Sequence, residues 1–386
     1  MKPEFIPFHK PYITDDEINE VVDTVKSGWW TTGPKVQKFE NKFNQFIGSK
    51  KSVAVSSWTA AAHLALEAIG LKPGDEVIVP SVTFTATAEI VCYFNAKPVI
   101  VDVDQNTLNI LPEAIEKSIT PKTKAIIPVH YGGLPCDMDE ILFLAKQKNI
   151  KIIEDAAHSL PAVYKDKKIG TIGDVTCFSF YVTKPLATGE GGMICTEDDE
   201  IADRCSIMRL HGINHDSWNR YTEEGSWFYE VISPGYKYNL TDIQASLGLA
   251  QLNKINMLWE LRKIIAQKYD SVFNQNEFIK VPARLNDRES SYHLYSVQIN
   301  TEALKISRAD FIEELKKRGI GSSVHFIPLY RHPYYSKSYN LKTNNFPNSE
   351  CVFPKLVSLP IWPGMAENQV DRVIETVISV LNYNKK

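Results

Sequence analysis

The chain has 386 residues and a mass of 43.7 kDa, more than a single compact core usually holds, which indicates two domains. Its composition is 44% hydrophobic and 23% charged, with 43 Lys and Arg against 46 Asp and Glu. This balance excludes a small disulfide scaffold and a wholly disordered chain, and it argues against a nucleic-acid-binding protein.

The cysteines and the N-terminal segment indicate the compartment. The six cysteines form no C-x-x-C pair, and most lie in apolar runs where buried, reduced thiols are common. Residues 1–12 lack the apolar stretch of a signal peptide, and no segment is long enough to cross a bilayer. We therefore expect a cytoplasmic protein with no metal site and no membrane partner.

The first half of the chain predicts an α/β domain. A capping box beginning at Thr14 and a glycine at position 28 delimit a first helix, whose apolar residues at helical spacing are Ile18, Val21, Val22 and Val25. Short apolar runs then alternate with segments of helical length, which predicts a largely parallel sheet covered on both faces. The predicted strands are residues 52–56, 76–80, 98–101, 124–129, 151–154, 175–180 and 192–196.

The second half predicts a smaller α+β domain. Residues 242–269 carry Leu and Ile at helical spacing and predict one long helix that links the two domains. After it we expect a strand at 293–299, a helix at 308–318, a strand at 321–325 and a closing amphipathic helix around 370–381. The predicted domains are residues 1–250 and 251–386. No Gly-x-Gly-x-x-Gly follows a candidate strand, which argues against a Rossmann dehydrogenase.

Two residues between positions 152 and 192 suit one cofactor. Asp155 follows an apolar strand, at the end where open α/β sheets bind ligands, and Lys184 follows a later strand. Taken singly, an aspartate such as Asp155 is more often a helix N-cap, and a lysine such as Lys184 is usually a surface charge. Pyridoxal phosphate needs both groups, a lysine for its Schiff base and a carboxylate against its pyridinium nitrogen. The pair therefore predicts this cofactor, with Lys184 moving a proton.

The same cofactor needs an anion site and a stacking ring. Residues 56–63 place hydroxyls where a strand turns into a helix, which favours phosphate. Ser179 could add a hydroxyl from a neighbouring strand, and Phe84 could lie on the pyridine ring. A plain N-cap and a core phenylalanine explain the same residues, so these segments alone leave both interpretations open.

Together, these segments resemble the DegT/DnrJ/EryC1/StrS sugar aminotransferases, pyridoxal-phosphate enzymes of the aspartate aminotransferase fold. The likeness extends over nearly the whole chain, with the motifs in one order. They are Ser-Gly-Trp-Trp-Thr-Thr-Gly-Pro at 27–34, residues 56–63 and 80–88, Ile-Glu-Asp-Ala-Ala-His at 153–158, Phe-Ser-Phe-Tyr-Val-Thr-Lys at 178–184, Gly-Glu-Gly-Gly at 189–192, residues 235–245, and Val-His-Phe-Ile-Pro at 324–328. The resemblance implies a large domain with a mostly parallel mixed sheet and a smaller C-terminal α+β domain.

The resemblance also implies roles for individual residues. It makes Lys184 the catalytic Schiff-base lysine. The implied cofactor contacts are Trp58, Thr59 and Ser179 at the phosphate, Phe84 and His158 at the ring, and Asp155 at the ring nitrogen.

The implied active unit is a homodimer with shared sites, because in this family the segment 235–239 reaches the partner subunit's site. Lys237, where many members have Asn, and Asn239 would then contact the phosphate. The implied substrate contacts are Trp30, Tyr181, His325 and Tyr330, of which the two tyrosines stand where relatives often have His.

Within the family, the motifs at 27–34 and 235–242 resemble the branch that acts at C4 of nucleotide-linked 4-keto sugars, either a 4-keto-6-deoxy hexose or a 4-keto pentose. The implied reaction moves the amino group of L-glutamate to the sugar, giving a 4-amino sugar for O-antigen, another surface polysaccharide or a related glycoconjugate. Related dehydratases have His in place of Lys184, so the lysine favours transamination. A C3 aminotransferase, a dehydratase of the same fold and a non-catalytic pyridoxal-phosphate sensor remain alternatives.

Overall fold

The structure is a computed structural model that describes residues 4–214 and 228–386. Its strands in chain order are β1 (Lys51–Val55), β2 (Glu76–Pro80), β3 (Lys97–Val101), β4 (Thr123–Ile126), β5 (Lys151–Asp155), β6 (Val163–Tyr164), β7 (Lys167–Lys168), β8 (Val175–Ser179), β9 (Gly192–Thr196), β10 (Ile279–Lys280), β11 (Arg288–Glu289), β12 (Tyr295–Ile299) and β13 (Leu356–Leu359). Its α-helices are α1 (Asp15–Ser27), α2 (Pro34–Ile47), α3 (Trp58–Ala68), α4 (Ala86–Cys92), α5 (Pro112–Ser118), α6 (Met138–Lys148), α7 (Asp199–Met208), α8 (Asp242–Asn253), α9 (Ile255–Phe273), α10 (Arg308–Lys317), α11 (Pro333–Ser338), α12 (Pro347–Val352) and α13 (Glu367–Tyr383).

A seven-stranded sheet lies at the centre of the larger part of the molecule, in the order β1-β9-β8-β5-β4-β2-β3. Strand β9 is antiparallel to both of its neighbours, and the other strands run in one direction. Successive side chains of a strand point to opposite faces, so Val53 and Val55 join one hydrophobic cluster and Ala54 joins another. Helices cover both clusters, and the predicted mostly parallel, mixed sheet is confirmed.

Helix α1 begins and ends where the sequence predicts. A capping box at Thr14 starts the helix, and Gly28 ends it with a left-handed φ of 75°. Its apolar side chains Ile18, Val22 and Val25 are 54%, 43% and 46% exposed. The predicted apolar face of this helix is therefore not buried within one chain.

A three-stranded antiparallel sheet, β10-β12-β13, forms the smaller part together with α9, α10 and α13. Ile6 of the N-terminal segment joins its hydrophobic cluster, because the Ile6 backbone pairs with Gly319 and Gly321 at 2.8 Å. The N-terminal segment thus packs with the C-terminal elements. The predicted boundary after residue 250 stays a prediction.

Two predicted elements are wrong. Residues 242–269 form two helices instead of one, because Lys254 leaves the helical conformation at φ −116° and ψ 10°. Lys254 instead forms ion pairs with Asp16 and Glu17, both at 3.0 Å. Residues 321–325 form no strand, since only Ser323 bridges to β13 before the chain turns toward the large sheet. Strand β13 takes the expected place in the small sheet.

Candidate active site

One cavity of about 560 Å³ opens at the carboxyl ends of β5 and β8, where the small part of the molecule faces the large sheet. This is the position at which open α/β sheets bind ligands. Most of the predicted site residues line it, namely Trp58, Thr59, Phe84, Asp155, His158, Ser179, Tyr181, Lys184 and His325. Residues far apart in the chain therefore converge on one site.

Asp155 ends β5 with its carboxylate almost fully buried, at 4% exposure. The Thr87 hydroxyl donates to its Oδ2 at 3.0 Å, and the backbone N–H of Ala157 donates to its Oδ1 at 3.1 Å. Burial raises the pKa of Asp155 to about 6, although these hydrogen bonds and the charge of Lys184 oppose the shift. The carboxylate thus lacks a full counter-charge and would be stabilised by a cation.

Lys184 lies in the turn that follows β8, where its backbone N–H donates to the carbonyl of Tyr181 at 2.8 Å. Burial lowers the pKa of the Lys184 amine to about 8, and the negative charge of Asp155 partly opposes this. Among the residues that the structure describes, none forms an ion pair with its Nζ. A part-buried amine with this pKa is available near neutral pH as a nucleophile and a base.

The N-terminus of helix α3 forms an anion site at one end of the cavity. Ser57 caps the helix by accepting the backbone N–H of Ala60 at 3.0 Å, and Thr59 in the first turn lines the cavity. Gly192 of β9 passes so close that a Cβ on it would lie 2.5 Å from the Ser57 carbonyl oxygen. Ser179, at the end of β8, adds a hydroxyl to the lining. Helix dipole, cap and hydroxyls together suit a phosphate.

Aromatic rings flank the space between these groups. The His158 ring stacks on Phe326 with centroids 5.9 Å apart and an interplanar angle of 17°. The backbone N–H of Gly132 donates to His158 Nδ1 at 3.2 Å, which leaves Nε2 to carry the proton. Phe84 remains 60% exposed and tilted against Phe326. A flat ring could therefore lie on Phe84.

Tyr330 does not line the cavity, contrary to the predicted substrate contact. It is 2% exposed and stacks on Phe346 with centroids 4.2 Å apart. Its hydroxyl donates to Glu350 at 2.7 Å, so the phenol is satisfied inside the core.

Trp30, Lys237 and Asn239 also lie outside the cavity lining of their own chain. Trp30 is 56% exposed, and its indole N–H donates to the Val25 carbonyl at 3.2 Å. Asn239 donates to the Thr32 hydroxyl at 2.7 Å, and the backbone of Lys237 bridges to residue 210. Their predicted contacts, those of Lys237 and Asn239 to a partner subunit's site, stay predictions.

Several lining residues were not predicted from the sequence, among them Phe8, His9, Thr87, His293 and Phe326. For Thr87 a signal existed, since it follows Phe84 by three residues at the start of a predicted helical segment, which places both on one face. For His9 and His293 the sequence offers no local pattern.

The assembled groups fit pyridoxal phosphate. Asp155 is a buried carboxylate that lacks a full counter-charge, as a protonated ring nitrogen would supply. Lys184 is a part-buried amine without an ion-pair partner in residues 4–214 and 228–386, and α3 offers its N-terminus to a phosphate. A lysine, a carboxylate and a phosphate site in one cavity define an enzyme of the vitamin B6-dependent aminotransferase class.

Comparison with known proteins identifies the family. Residues 11–378 match the model of the DegT/DnrJ/EryC1/StrS aminotransferase family. The chain is 47% identical over 378 residues to the spore coat polysaccharide biosynthesis protein SpsC of Bacillus subtilis, covering 98% of this chain and 97% of SpsC. The chain belongs to this aminotransferase family, and the predicted family and enzyme class are confirmed.

Solved structures of similar proteins support the family assignment and the fold. Spr1654 of Streptococcus pneumoniae, assigned as a sugar aminotransferase, has a TM-score of 0.91 and 37% identity in its apo-form, covering 98% of both chains. It has also been solved in a PLP-form and a PMP-form. PseC of Helicobacter pylori, an aminotransferase of pseudoaminic acid biosynthesis, has a TM-score of 0.91 and 28% identity, covering 99% of this chain and 100% of that chain. The predicted fold class is confirmed.

No helix within the two described stretches combines the length and the hydrophobicity that a membrane span requires.

Proposed function

We propose that this enzyme transfers the amino group of L-glutamate to C4 of a nucleotide-linked 4-keto-6-deoxy sugar. The observation that carries the proposal is the placement of Lys184 and Asp155 in one buried cavity beside the N-terminus of α3. The full set of groups needed for transamination is thus present. A binding module without turnover would have no need for a part-buried amine whose pKa lies close to neutrality.

The cofactor is pyridoxal 5'-phosphate, which supplies an electron sink when a proton leaves the Cα of the amino acid. Asp155 holds the ring nitrogen in its protonated form, and Thr87 keeps that carboxylate oriented through its 3.0 Å hydrogen bond. Lys184 Nζ would take the proton from Cα of the donor and deliver it to the cofactor carbon on the other side of the transferred nitrogen, since burial keeps a fraction of the amine neutral near pH 7.

The remaining lining residues fix the position of the reacting atoms. The hydroxyls of Thr59 and Ser179 and the backbone N–H groups at the start of α3, including that of Trp58, would hold the phosphate end, while the Trp58 indole N–H donates to the Cys177 carbonyl at 3.1 Å and fixes the ring. Phe84 covers one face of the ring. Such positioning accounts for a large part of the rate, because misplacement by an ångström is costly.

The assignment of a nucleotide-linked sugar rests on family membership and on the relatives. SpsC is named for spore coat polysaccharide biosynthesis, which supports a 4-amino sugar destined for a surface polysaccharide. Tyr181 and His325 line the cavity, and we assign the sugar contacts to them. C4 is favoured over C3 by the motifs at 27–34 and 235–242.

The proposal includes a homodimer with shared sites. The exposed apolar side chains Ile18, Val22 and Val25 of α1 and the exposed Trp30 would be covered in such a dimer. Lys237 and Asn239, which lie outside the cavity of their own chain, would then be available to the partner's site.

The test is a two-step assay on the cofactor-loaded enzyme. L-glutamate alone should give one equivalent of 2-oxoglutarate per active site and convert the cofactor to its amine form. A panel of nucleotide-linked 4-keto-6-deoxy hexoses should then restore the starting spectrum, with the new amine at C4 by NMR. An amine at C3 would refute the regiochemistry, loss of a sugar hydroxyl would indicate a dehydratase, and a spectrum unmoved by glutamate would indicate a sensor.

A further inference from the structure

The wall of the cavity opposite the large sheet carries two histidines with unpaired ring nitrogens. Nε2 of His9 and Nδ1 of His293 are buried, and neither has a hydrogen-bond partner among the residues described. His293 is only 5% exposed, and both residues line the cavity. Buried polar atoms are almost always satisfied, so two orphaned nitrogens on one cavity wall point to a missing partner.

A buried arginine lies directly behind this wall. Arg262 of α9 is 1% exposed, and its Nη1 donates to the carbonyls of Ile361 at 3.0 Å and His293 at 3.4 Å, both cavity-lining residues. Its Nε has no partner, and no carboxylate in the described ranges forms an ion pair with it. An arginine is rarely buried without an anion, because a buried charge is stable only when it is compensated.

The two histidines and Arg262 come from three segments that are far apart in the chain. The backbone pairing of Ile6 with Gly319 and Gly321 carries His9 to the cavity. A Cβ at Gly321 would lie 2.7 Å from the Phe8 nitrogen, so glycine permits this approach. His293 precedes β12, and Arg262 reaches the wall from α9.

The charges around the wall are predominantly positive. Burial lowers the pKa of His9 to about 4 and that of His293 well below its usual value, and the positive charges of Arg262 and Lys184 reinforce both shifts. The carboxylates of the lining are Asp155, which is held by Thr87, and Glu190, which lies in the turn between β8 and β9. A hydrogen bond to the Val182 backbone opposes the shift of His9. The wall thus offers two unpaired imidazole nitrogens, which a bound anion would favour in their protonated form, and an uncompensated cation behind the same cavity that holds Lys184.

We propose that His9 and His293, with the charge of Arg262 directly behind them, bind a carboxylate of the amino-acid donor while its amino group lies at Lys184. A carboxylate would occupy the two orphaned nitrogens as charge-assisted hydrogen bonds and would neutralise Arg262. The inference rests on the proposed function, since it names where the donor substrate of that reaction is held. The diphosphate of a nucleotide sugar is the other anion that could occupy the wall.

The test uses glutarate, a dicarboxylate of the same length as L-glutamate that lacks the reactive amine. His293→Leu and His9→Leu should each weaken glutarate binding to the cofactor-loaded enzyme by about tenfold or more, measured by calorimetry. His293→Asn and His9→Gln place an amide near the orphaned nitrogen and should restore most of the affinity. The KM for L-glutamate should rise in parallel with little change in kcat.

Two further comparisons distinguish a bound carboxylate from a bound diphosphate, and a failure of this inference from a failure of the proposed function. Binding of UDP and dTDP should stay unchanged in the leucine variants, and His332→Gln, outside the cavity, should behave as wild type in every assay. Unchanged glutarate binding, or a loss confined to UDP and dTDP, would overturn the carboxylate assignment. If wild-type enzyme bound glutarate but produced no 2-oxoglutarate from L-glutamate, the proposed function would fail instead.

Discussion

The first prediction is that the Thr87 hydroxyl lowers the pKa of Asp155. Thr87→Val is the isosteric substitution that removes this hydroxyl. The hydroxyl donates to Asp155 Oδ2 at 3.0 Å in a fully buried position. It stabilises the ionised carboxylate, so its loss should raise the pKa of Asp155 above the present value of about 6.

The magnitude follows from the type of hydrogen bond. A hydrogen bond to a charged group contributes about 1.5–3 kcal/mol, and one pKa unit corresponds to about 1.4 kcal/mol. The pKa of Asp155 in the apoprotein should therefore rise by about 1 to 2 units, to roughly 7–8. The protonated carboxyl cannot pair with a cationic ring nitrogen, so affinity for the cofactor falls as pH decreases through this pKa.

The assay is the affinity of the apoprotein for pyridoxamine phosphate, which forms no covalent bond with Lys184, measured between about pH 5 and pH 9. Affinity should decline below about pH 6 in wild type and already below about pH 7–8 in Thr87→Val. The two proteins should converge at alkaline pH. Thr196→Val, which removes a buried hydroxyl bonded to the Asp174 carbonyl at 2.7 Å outside the cavity, is the matched control.

Two results would refute this reasoning. If the variant lost affinity equally at every pH, Thr87 would act on packing and not on the carboxylate. If the cofactor affinity of the variant declined at the same acidic pH as that of wild type, the hydroxyl would contribute nothing to the ionisation of Asp155.

Three further predictions concern Lys184 and the phosphate loop. Lys184→Ala should abolish the absorbance band of lysine-bound cofactor and reduce transamination by about a thousandfold or more, and activity near wild type would end the mechanism. In wild type, the rate at which the apoprotein captures pyridoxal phosphate should fall about tenfold per pH unit below the Lys184 pKa of about 8, since only the neutral amine attacks. Stopped-flow absorbance measures this rate, and a rate that does not depend on pH would contradict the prediction. Gly192→Ala places a Cβ 2.5 Å from the Ser57 carbonyl, so urea unfolding should show a loss of about 1–3 kcal/mol together with weaker phosphate binding. Gly189→Ala, at a φ of 83° with open space around it, should lose stability through backbone strain but keep its phosphate binding, which makes it the control for the contact with Ser57.

The sequence predicted those parts of the site that lie at strand ends, because strand ends are set by local patterns. Asp155 and Ser179 end apolar runs, and Lys184 follows one, so parallel pairing alone brings them to one edge. His9 and His293 reach the cavity through tertiary contacts, and no short-range pattern in the sequence marks such contacts.

The errors in the fold have comparable causes. The break at Lys254 was missed because the apolar spacing continues across it, while an ion pair with Glu17, more than two hundred residues away, favours the break. Helix α2 was not predicted, although Phe39, Phe43 and Ile47 are buried at helical spacing and would have marked it. Tyr330 was placed by resemblance alone, and the aromatic packing of Phe346 instead holds it in the core.

The burial that makes Asp155 useful also makes the apoprotein less stable, and Asp155→Asn should reveal this. The pKa of Asp155 in the folded protein, about 6, lies above its ordinary value of 3.8. The free energy of unfolding therefore falls as pH rises from about 4 to about 6, by about 3 kcal/mol in total at neutral pH. Asparagine carries no charge, and its amide can donate to Thr87, whose hydroxyl can turn toward Thr83 at 2.8 Å.

The apoprotein of Asp155→Asn should therefore be more stable than wild type at pH 7 by about 1–3 kcal/mol in urea unfolding, and the gain should vanish below about pH 3, where wild-type Asp155 is protonated in both states. Cofactor binding should be weaker in the same variant, because the ring nitrogen loses its anionic partner. If the variant were less stable than wild type at neutral pH, or if the stability difference did not change with pH, the ionised Asp155 carboxylate would not destabilise the apoprotein.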